Sequence, residues 1–390
     1  MMYYDEEVCK EAMKVHYLDN SATTAVSPAA VDKAAYMMRE CCGNPSSLHG
    51  MGLSAEREVE LARERIADSL GVSSKEIIFT SGGTEANNTA LFGAADALKR
   101  RGSRIILSAV EHSSVKESGE RLKALGYDVQ IAPVDSNGVV VLDALDELLT
   151  DKTILVSVMA VNNETGSVQP TEQIAKRVRK RCPNAIFHVD AVQAYGKMPL
   201  KPKKWGVDLM TVSAHKIHGP KGVGALYIRD GVRITPLLYG GEQQKKRRPG
   251  TEATPLIAAF GVAVSEMDIS GNREIIRSLN AYALEQLSAI DGVTINSPAS
   301  ALPYIINLSV SGIRSETMLH HLEREHGVYV SSSSACSKGK RSYVLAAMGL
   351  SADRIDSSIR VSFSKFSATE DVDALCEGLR SGLHTLQRKH

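Results

Sequence analysis

Short apolar runs alternate with amphipathic stretches through residues 56–228. Between most of the runs, apolar residues recur at helical spacing, as at Val59, Ala62, Ile66 and Leu70. Strands that alternate with helices are typical of a mostly parallel, doubly wound sheet with helices on both faces. The strands predicted on this basis are 77–83, 104–110, 129–134, 153–161, 186–189, 209–212 and 223–228.

The spacing changes after about Thr254. Two longer helices are predicted at 255–267 and 273–290. Strands alternating with helices follow, predicted in chain order at 304–310, 316–325, 359–363 and 370–386. We interpret this part as a second, smaller α+β domain. The segment SSSSACSKGKR, residues 331–341, has no apolar periodicity and is predicted to be an exposed loop.

Composition and charge exclude several classes of protein. The 390 residues carry a formal net charge of +1, which gives no electrostatic basis for binding nucleic acid or a membrane surface. No apolar run is long enough to span a membrane, and the start of the chain lacks the regions of a signal peptide. The six cysteines form no C-x-x-C pair. We therefore expect free thiols, no metal site and a cytoplasmic location.

The polar residues that directly follow the predicted strands are the candidates for chemistry. In an open parallel sheet, ligands bind beyond the carboxyl ends of the strands. Gly82, Gly83 and Thr84 follow one strand and precede a helix, so their backbone N–H groups are suited to holding a phosphate. An ordinary glycine turn with Thr84 as the helix cap explains the same residues.

Asp190 and Gln193 follow the strand that ends in AIFHV. An aspartate at this point is able to pair with a protonated pyridine nitrogen and make the ring an electron sink. A helix N-cap is the simpler interpretation of Asp190 alone, and the pair His188 and Asp190 leaves open a metal site.

Lys216 lies between an apolar strand and the glycine-rich segment IHGPKGVG. Burial lowers the pKa of a lysine and suits it to Schiff-base chemistry. Ser213 and His215 flank it and are candidate phosphate donors. A metal pair formed by His215 and His218 is the alternative, although no carboxylate accompanies it.

With these residues identified, the chain resembles a known family. The segments that carry the resemblance are YLDNSATT (17–24), NPSSLHGMG (44–52), FTSGGTEANN (79–88), EHSSV (111–115), VNNETG (161–166), HVDAVQ (188–193), SAHKIHGPKGVGALY (213–227), RRPGTEAT (247–254) and SSSSAC (331–336). In order and spacing they resemble the cysteine desulfurases of the IscS/NifS type. These are fold-type I pyridoxal-phosphate (PLP) enzymes of the class V aminotransferase group.

The resemblance implies roles for the residues around the cofactor ring. Lys216 would hold PLP covalently and later act as the base at the substrate Cα. His112 would stack on the ring and move protons. Asp190 would bind the pyridine nitrogen and Gln193 the ring oxygen. Asn163 would lie near that oxygen and the substrate.

Further roles concern the phosphate and the substrate. The phosphate ligands implied by the resemblance are Gly83, Thr84, Ser213 and His215. Thr251 would reach the phosphate of a partner subunit, which implies a homodimer with shared sites. Arg360 would bind the substrate carboxylate with its guanidinium fork.

Cys336 is the residue that decides the predicted reaction. Lys338, Lys340 and Arg341 follow it, and nearby cations lower the pKa of a thiol. The resemblance implies that Cys336 takes sulfur from L-cysteine, releases L-alanine and passes the resulting persulfide to an acceptor protein, for iron–sulfur clusters or for thiolation of tRNA and cofactors. The alternative is that Cys336 is an exposed cysteine without a role in catalysis.

The predicted organisation and the competing functions are as follows. We predict a large PLP-binding domain at 25–262 and a small domain formed by 1–24 and 263–390, which carries the cysteine loop 331–342. Selenocysteine lyase or aminotransferase activity on the same scaffold is the nearest alternative. A weakly active, partner-dependent protein and a metal hydrolase are more distant alternatives.

Overall fold

Helices and strands alternate along the chain, as the apolar pattern predicts. The computed structural model describes residues 14–332 and 341–386. The strands are β1 (His16–Tyr17), β2 (Ile77–Thr80), β3 (Arg104–Ser108), β4 (Asp128–Ala132), β5 (Thr153–Ser157), β6 (Ile186–Asp190), β7 (Leu209–Ser213), β8 (Gly224–Ile228), β9 (Val293–Ile295), β10 (Ile305–Val310), β11 (Val328–Tyr329), β12 (Ser331–Ser332) and β13 (Ser358–Ser362). The helices are α1 (Pro28–Arg39), α2 (Gly50–Leu70), α3 (Gly83–Leu98), α4 (Ser113–Ala124), α5 (Leu142–Leu148), α6 (Thr171–Arg181), α7 (Pro202–Trp205), α8 (Thr254–Ser265), α9 (Ile269–Ser288), α10 (Ser315–His326), α11 (Tyr343–Ala347), α12 (Ala352–Asp356) and α13 (Thr369–Leu386).

The largest sheet among the described residues has seven strands in the order β2-β8-β7-β6-β5-β3-β4. β3 to β7 pair in parallel, and β8 is antiparallel to both β7 and β2. The carboxyl ends of β2, β3, β5, β6 and β7 therefore meet at one edge. Every residue of β5, β6 and β7 is buried, as expected for a sheet covered on both faces.

A second, antiparallel sheet is built from the C-terminal part of the chain. Its order is β12-β13-β10-β9, and the short strands β1 and β11 pair in parallel beside it. The residues after β1 connect the two sheets. Leu18 accepts a 2.7 Å hydrogen bond from the backbone of Ser362, and Thr24 donates one of 2.9 Å to the carbonyl of His215. The N-terminal segment is thereby fixed at both ends beside the predicted Lys216 site.

The predicted α/β fold is confirmed, with local differences. β12 occupies Ser331 and Ser332, where the sequence predicted loop, because these residues pair with Arg360 and Ile359 of β13. The apolar pattern also does not predict that β8 runs antiparallel to its two neighbours in the main sheet. Within the two described ranges, no helix has both the length and the apolar character needed to cross a bilayer. The predicted division into two domains remains a prediction.

Candidate active site

The carboxyl ends of the parallel strands open into a cavity of about 340 Å³. The small sheet completes its wall through Ser331 and Arg360. The residues predicted from sequence that line this cavity are Gly83, Thr84, His112, Asn163, Asp190, Gln193, His215, Lys216 and Arg360. The sheet edge thus brings together residues that are widely separated in the sequence.

Lys216 is held by the N-terminal segment. It ends the short 3-10 turn Ala214–Lys216 that follows β7. Its Nζ donates hydrogen bonds to the carbonyl oxygens of Ser21 and Ala22, the second at 2.7 Å. Both carbonyls belong to the YLDNSATT segment. The lysine amine is therefore directed into the cavity and solvated by backbone oxygens.

Asp190 is the last residue of β6, and its buried carboxyl group accepts a hydrogen bond from the side chain of Asn87. Its Oδ2 accepts a 2.7 Å hydrogen bond from Asn87 Nδ2, and its Oδ1 accepts one of 3.0 Å from the backbone of Val192. The helix-cap interpretation explains only the second contact. The first requires Asn87 of α3, 103 residues earlier in the chain.

His112 caps α4 and is connected to Asp190 through two side chains. Its Nδ1 accepts a 3.1 Å hydrogen bond from the backbone of Ser114, whose Oγ also lies 2.8 Å from it. The same Oγ accepts a 2.8 Å bond from Asn87. Burial lowers the pKa of His112, with the charge of Asp190 opposing and that of Lys216 adding to the effect. A neutral ring with Nδ1 as acceptor carries its proton on Nε2.

The start of α3 offers donors for an anion. Gly82 precedes the helix with φ 151° and ψ −175°, a conformation open to glycine alone, and no side chain caps the first turn. Behind it, Ser213 Oγ is buried without a hydrogen-bond partner. A Cβ on Gly83 would lie 3.0 Å from Val192 and 4.0 Å from the Cβ of Ser213. The uncapped N–H groups and the unpaired hydroxyl lie together, and both suit a phosphate.

His215 lies on the same side of the cavity and is neutral near pH 7. Burial, followed by the charge of Lys216, lowers its pKa to about 4. Its Nδ1 lies 3.3 Å from the hydroxyl of Thr23. His215 is therefore available as an uncharged donor or acceptor.

Arg360 forms the opposite wall and is 7% exposed. One guanidinium nitrogen donates to Asp19 Oδ1 at 2.7 Å, and another donates to the carbonyl of Asn163 at 3.1 Å. Its Nε is buried without a partner. Arg360 is therefore a buried side chain at the cavity rather than a surface charge, and its Nε is not used by the protein.

Two predicted residues of the described chain do not line the cavity. Ser213 lies behind the start of α3 and is fully buried. Thr251 is exposed in the segment before α8. Cys336 lies outside the described residues, five positions beyond the cavity-lining Ser331. Its predicted role, like the roles of the other residues, stays a prediction.

The metal interpretation of His188 is not supported by its surroundings. Its Nδ1 lies 2.8 Å from Ser157 Oγ and its Nε2 lies 3.1 Å from Thr211 Oγ1, so both ring nitrogens are used inside the sheet. Burial lowers its pKa to about 4. Across residues 14–332 and 341–386, no group of three or more His, Cys, Asp or Glu side chains is placed to hold a metal ion.

Asn87, Ser21 and Lys197 take part in the site, although the sequence reasoning gave them no role. Asn87 and Ser21 lie in segments quoted for the resemblance, but their contacts depend on partners distant in the sequence. Lys197 donates a 3.1 Å hydrogen bond to Gln193 from a buried position. In the sequence, only its position four residues after Gln193 could have suggested this contact. Residues at that spacing lie close together when the chain is helical.

The residues present fit pyridoxal phosphate. The cavity combines a lysine amine, a carboxyl group with two donors, and an uncapped helix start behind which the Ser213 hydroxyl is buried without a partner. These match the aldehyde, the pyridine nitrogen and the phosphate of PLP respectively.

Comparisons with known proteins agree with this fit. The aminotransferase class-V family profile matches residues 16–375. A cysteine desulfurase IscS of Methanosarcina thermophila is 40% identical over 93% of this chain and 91% of its own. The structure of a NifS-like protein has a TM-score of 0.89 at 39% identity, covering 95% of this chain and all of its own. A structure described as SspA in complex with cysteine has a TM-score of 0.80 at 30% identity, covering 91% of this chain and all of its own. The chain therefore belongs to the aminotransferase class-V family of PLP enzymes and, within it, to the cysteine desulfurases.

Proposed function

We propose that this protein converts L-cysteine to L-alanine and holds the released sulfur as a persulfide on Cys336. The observation that carries the proposal is the cavity that joins Lys216, Asp190 and Arg360. These are the groups that a PLP enzyme needs for an amino-acid substrate: an amine, a partner for the ring nitrogen and a clamp for the carboxylate. Relatives named cysteine desulfurase support cysteine as that substrate.

The cofactor supplies one element of the chemistry. When bound, PLP takes up the electron pair left at the substrate Cα when its proton leaves. Lys216 would hold it covalently, with Asp190 and Gln193 on the ring. Gly83, Thr84, Ser213 and His215 would bind its phosphate.

The residues of the chain perform the remaining steps. Arg360 would bind the substrate carboxylate through its unpaired Nε, while Asp19 and the Asn163 carbonyl hold the rest of the guanidinium. Lys216 Nζ would take the Cα proton, and His112 would move protons at Nε2. A neutral His112 suits this task because burial lowers its pKa.

Sulfur transfer completes the reaction. The Cys336 thiolate would attack the sulfur of the substrate, so that an S–S bond forms as the Cβ–S bond breaks. The bonding electrons remain with carbon, which takes up a proton and leaves as alanine. One cysteine and one enzyme thiol thus give one alanine and one persulfide. We further propose that a sulfur-acceptor protein removes the persulfide sulfur, for iron–sulfur clusters or for thiolation of tRNA and cofactors.

We also propose that the enzyme acts as a homodimer in the cytoplasm. Val31, Met38 and Met51 in or near α1 and α2 are more than half exposed, and Tyr239 is 83% exposed. A second copy would cover such apolar side chains. Thr251 is exposed and is not among the residues that line the cavity of its own chain, which supports its predicted role in a neighbouring subunit. The free cysteines among the described residues fit a reducing compartment.

The test is the product balance from L-cysteine with added PLP and a reductant. We expect alanine and sulfide in equal amounts. Cys336→Ala should abolish both, whereas Cys42→Ala, an exposed cysteine in the same protein, should retain them. Full sulfur transfer by the Cys336→Ala protein would refute the mechanism. Alanine from selenocysteine alone, or amino transfer to a keto acid, would favour the alternative class-V activities.

A further inference from the structure

Lys197 is a buried lysine next to the cavity. It is 5% exposed, and its Nζ donates a 3.1 Å hydrogen bond to Gln193 Oε1. The same Nζ lies 5.7 Å from the centre of the Tyr304 ring. Within the described parts of the chain, no ion pair includes Lys197. The amide of Gln193 is therefore its hydrogen-bond partner.

A buried lysine without a carboxylate is an unfavourable choice for packing alone. Removing an ammonium group from water costs several kcal/mol unless other groups compensate. Burial, followed by the charges of Lys216 and Arg360, lowers the pKa of Lys197 to about 7. A methionine of similar length would fill the space without this cost. The lysine must therefore be explained by what its N–H groups do.

Lys197 determines which way the Gln193 amide faces. A lysine ammonium donates hydrogen bonds and accepts none, whereas an amide has one accepting oxygen and one donating NH₂ group. The oxygen of Gln193 faces Lys197, as the donation from its ammonium form requires. Its Nε2 then lies on the other side, where it donates a 2.9 Å hydrogen bond to the carbonyl of Ser21. One N–H of the same group is left for a ligand of the cavity that Gln193 lines.

We propose that Lys197 is a positioning residue for the cofactor, because it fixes the Gln193 amide with its NH₂ group toward the cavity. This inference rests on the proposed function, in which Gln193 donates to the ring oxygen of PLP. Without Lys197 the amide keeps its bond to the Ser21 carbonyl but loses the donor that holds its oxygen. The amide is then less firmly fixed, and a rotated amide would present its oxygen to the ring oxygen and lose that hydrogen bond.

The experiment measures the PLP dissociation constant and the absorbance maximum of bound PLP in Lys197→Met. We expect the dissociation constant to rise about three- to tenfold, the range of one lost hydrogen bond, and the maximum to shift. Lys203→Met, which removes an exposed lysine nearby, should leave both unchanged. Lys197→Leu carries the same expectation and keeps the test decisive if the methionine variant does not fold.

A double-mutant cycle with Gln193→Leu distinguishes an effect that Lys197 exerts through Gln193 from a general disturbance of the structure. If Lys197 acts through Gln193, then Lys197→Met has no further effect on the dissociation constant once Gln193 is replaced. An equal rise in both backgrounds, or no rise in the wild-type background, overturns the proposal. The proposed function is tested separately, by PLP binding and alanine production in the wild-type protein and by sulfur transfer in Cys336→Ala.

Discussion

The hydroxyl of Ser342 donates a hydrogen bond to the buried carboxyl of Glu164, with Oγ and Oε2 2.6 Å apart. The same hydroxyl accepts a 3.1 Å bond from the backbone of Leu345 and so caps α11. Glu164 directly follows Asn163 of the cavity wall, and Ser342 lies six residues after Cys336. Burial raises the pKa of Glu164 to about 7, although Ser342 and the charge of Arg360 oppose the rise.

This raised pKa predicts a pH-dependent stability. Between pH 4.5 and 7 the folded protein keeps a proton on Glu164 that the unfolded chain has released. The free energy of unfolding therefore falls as pH rises through this window. Glu164→Gln removes the penalty of the buried charge, so the variant should match the wild type at pH 5 and exceed it at pH 8. Urea denaturation at both pH values measures this, with the exposed Glu316→Gln as control. A variant that is less stable at pH 8 contradicts the prediction.

Asn87→Ala should weaken PLP binding. Asn87 donates to both Asp190 and Ser114. Its loss leaves the buried carboxyl group of Asp190 with one donor fewer, and Ser114, the partner of His112, loses the bond that holds its hydroxyl. We expect the PLP dissociation constant to rise about tenfold or more, the cost of a lost bond to a charged group. Equilibrium titration with PLP measures the change. Asn88→Ala, one position along the helix, loses only a bond to the Thr84 carbonyl and should bind normally. Equal binding by both variants would count against the role of Asn87.

Gly82→Ala should destabilise the protein and weaken PLP binding through the backbone alone. A Cβ at Gly82 meets no atom within 4 Å, but the φ of 151° is strained for alanine by about 1–3 kcal/mol. Gly50→Ala is the matched control, because its Cβ also meets nothing and its backbone is helical. This control should be neutral or slightly stabilising. Thermal unfolding of both variants, with and without PLP, is the measurement. Equal melting temperatures would show that the backbone at Gly82 is not strained.

Arg360→Lys should raise the KM for L-cysteine about tenfold or more. A single ammonium group lacks the planar fork that holds Asp19 and the Asn163 carbonyl and leaves Nε for the carboxylate. Steady-state alanine production measures KM, and the exposed Arg314→Lys provides the control. PLP binding should be unchanged, which separates a substrate effect from a cofactor effect. An unaltered KM would remove Arg360 from the substrate site.

The sequence predicted most of the fold but fewer of the contacts. Every strand of the main sheet was predicted within a few residues. For β5, β6 and β7 the reason is that fully buried strands leave continuous apolar runs. β12 was missed, since two serines carry no apolar signal and gain their conformation from β13. The resemblance named nine of the residues that line the cavity. It did not name Asn87 or Lys197, whose importance depends on which buried polar groups meet in three dimensions. The helix-start geometry at Gly82 was anticipated by its two glycines.

The pairing of Asp19 with Arg360 spans 341 residues. During translation, the N-terminal segment that holds Lys216 therefore cannot pair with β13 until most of the chain has been synthesised. A product that terminates before β13 carries Lys216 and Asp190 but lacks the arginine wall and the strand that anchors Leu18. Chains that end before β13 therefore lack both the residue proposed to bind the substrate and the strand that holds the N-terminal segment against Lys216.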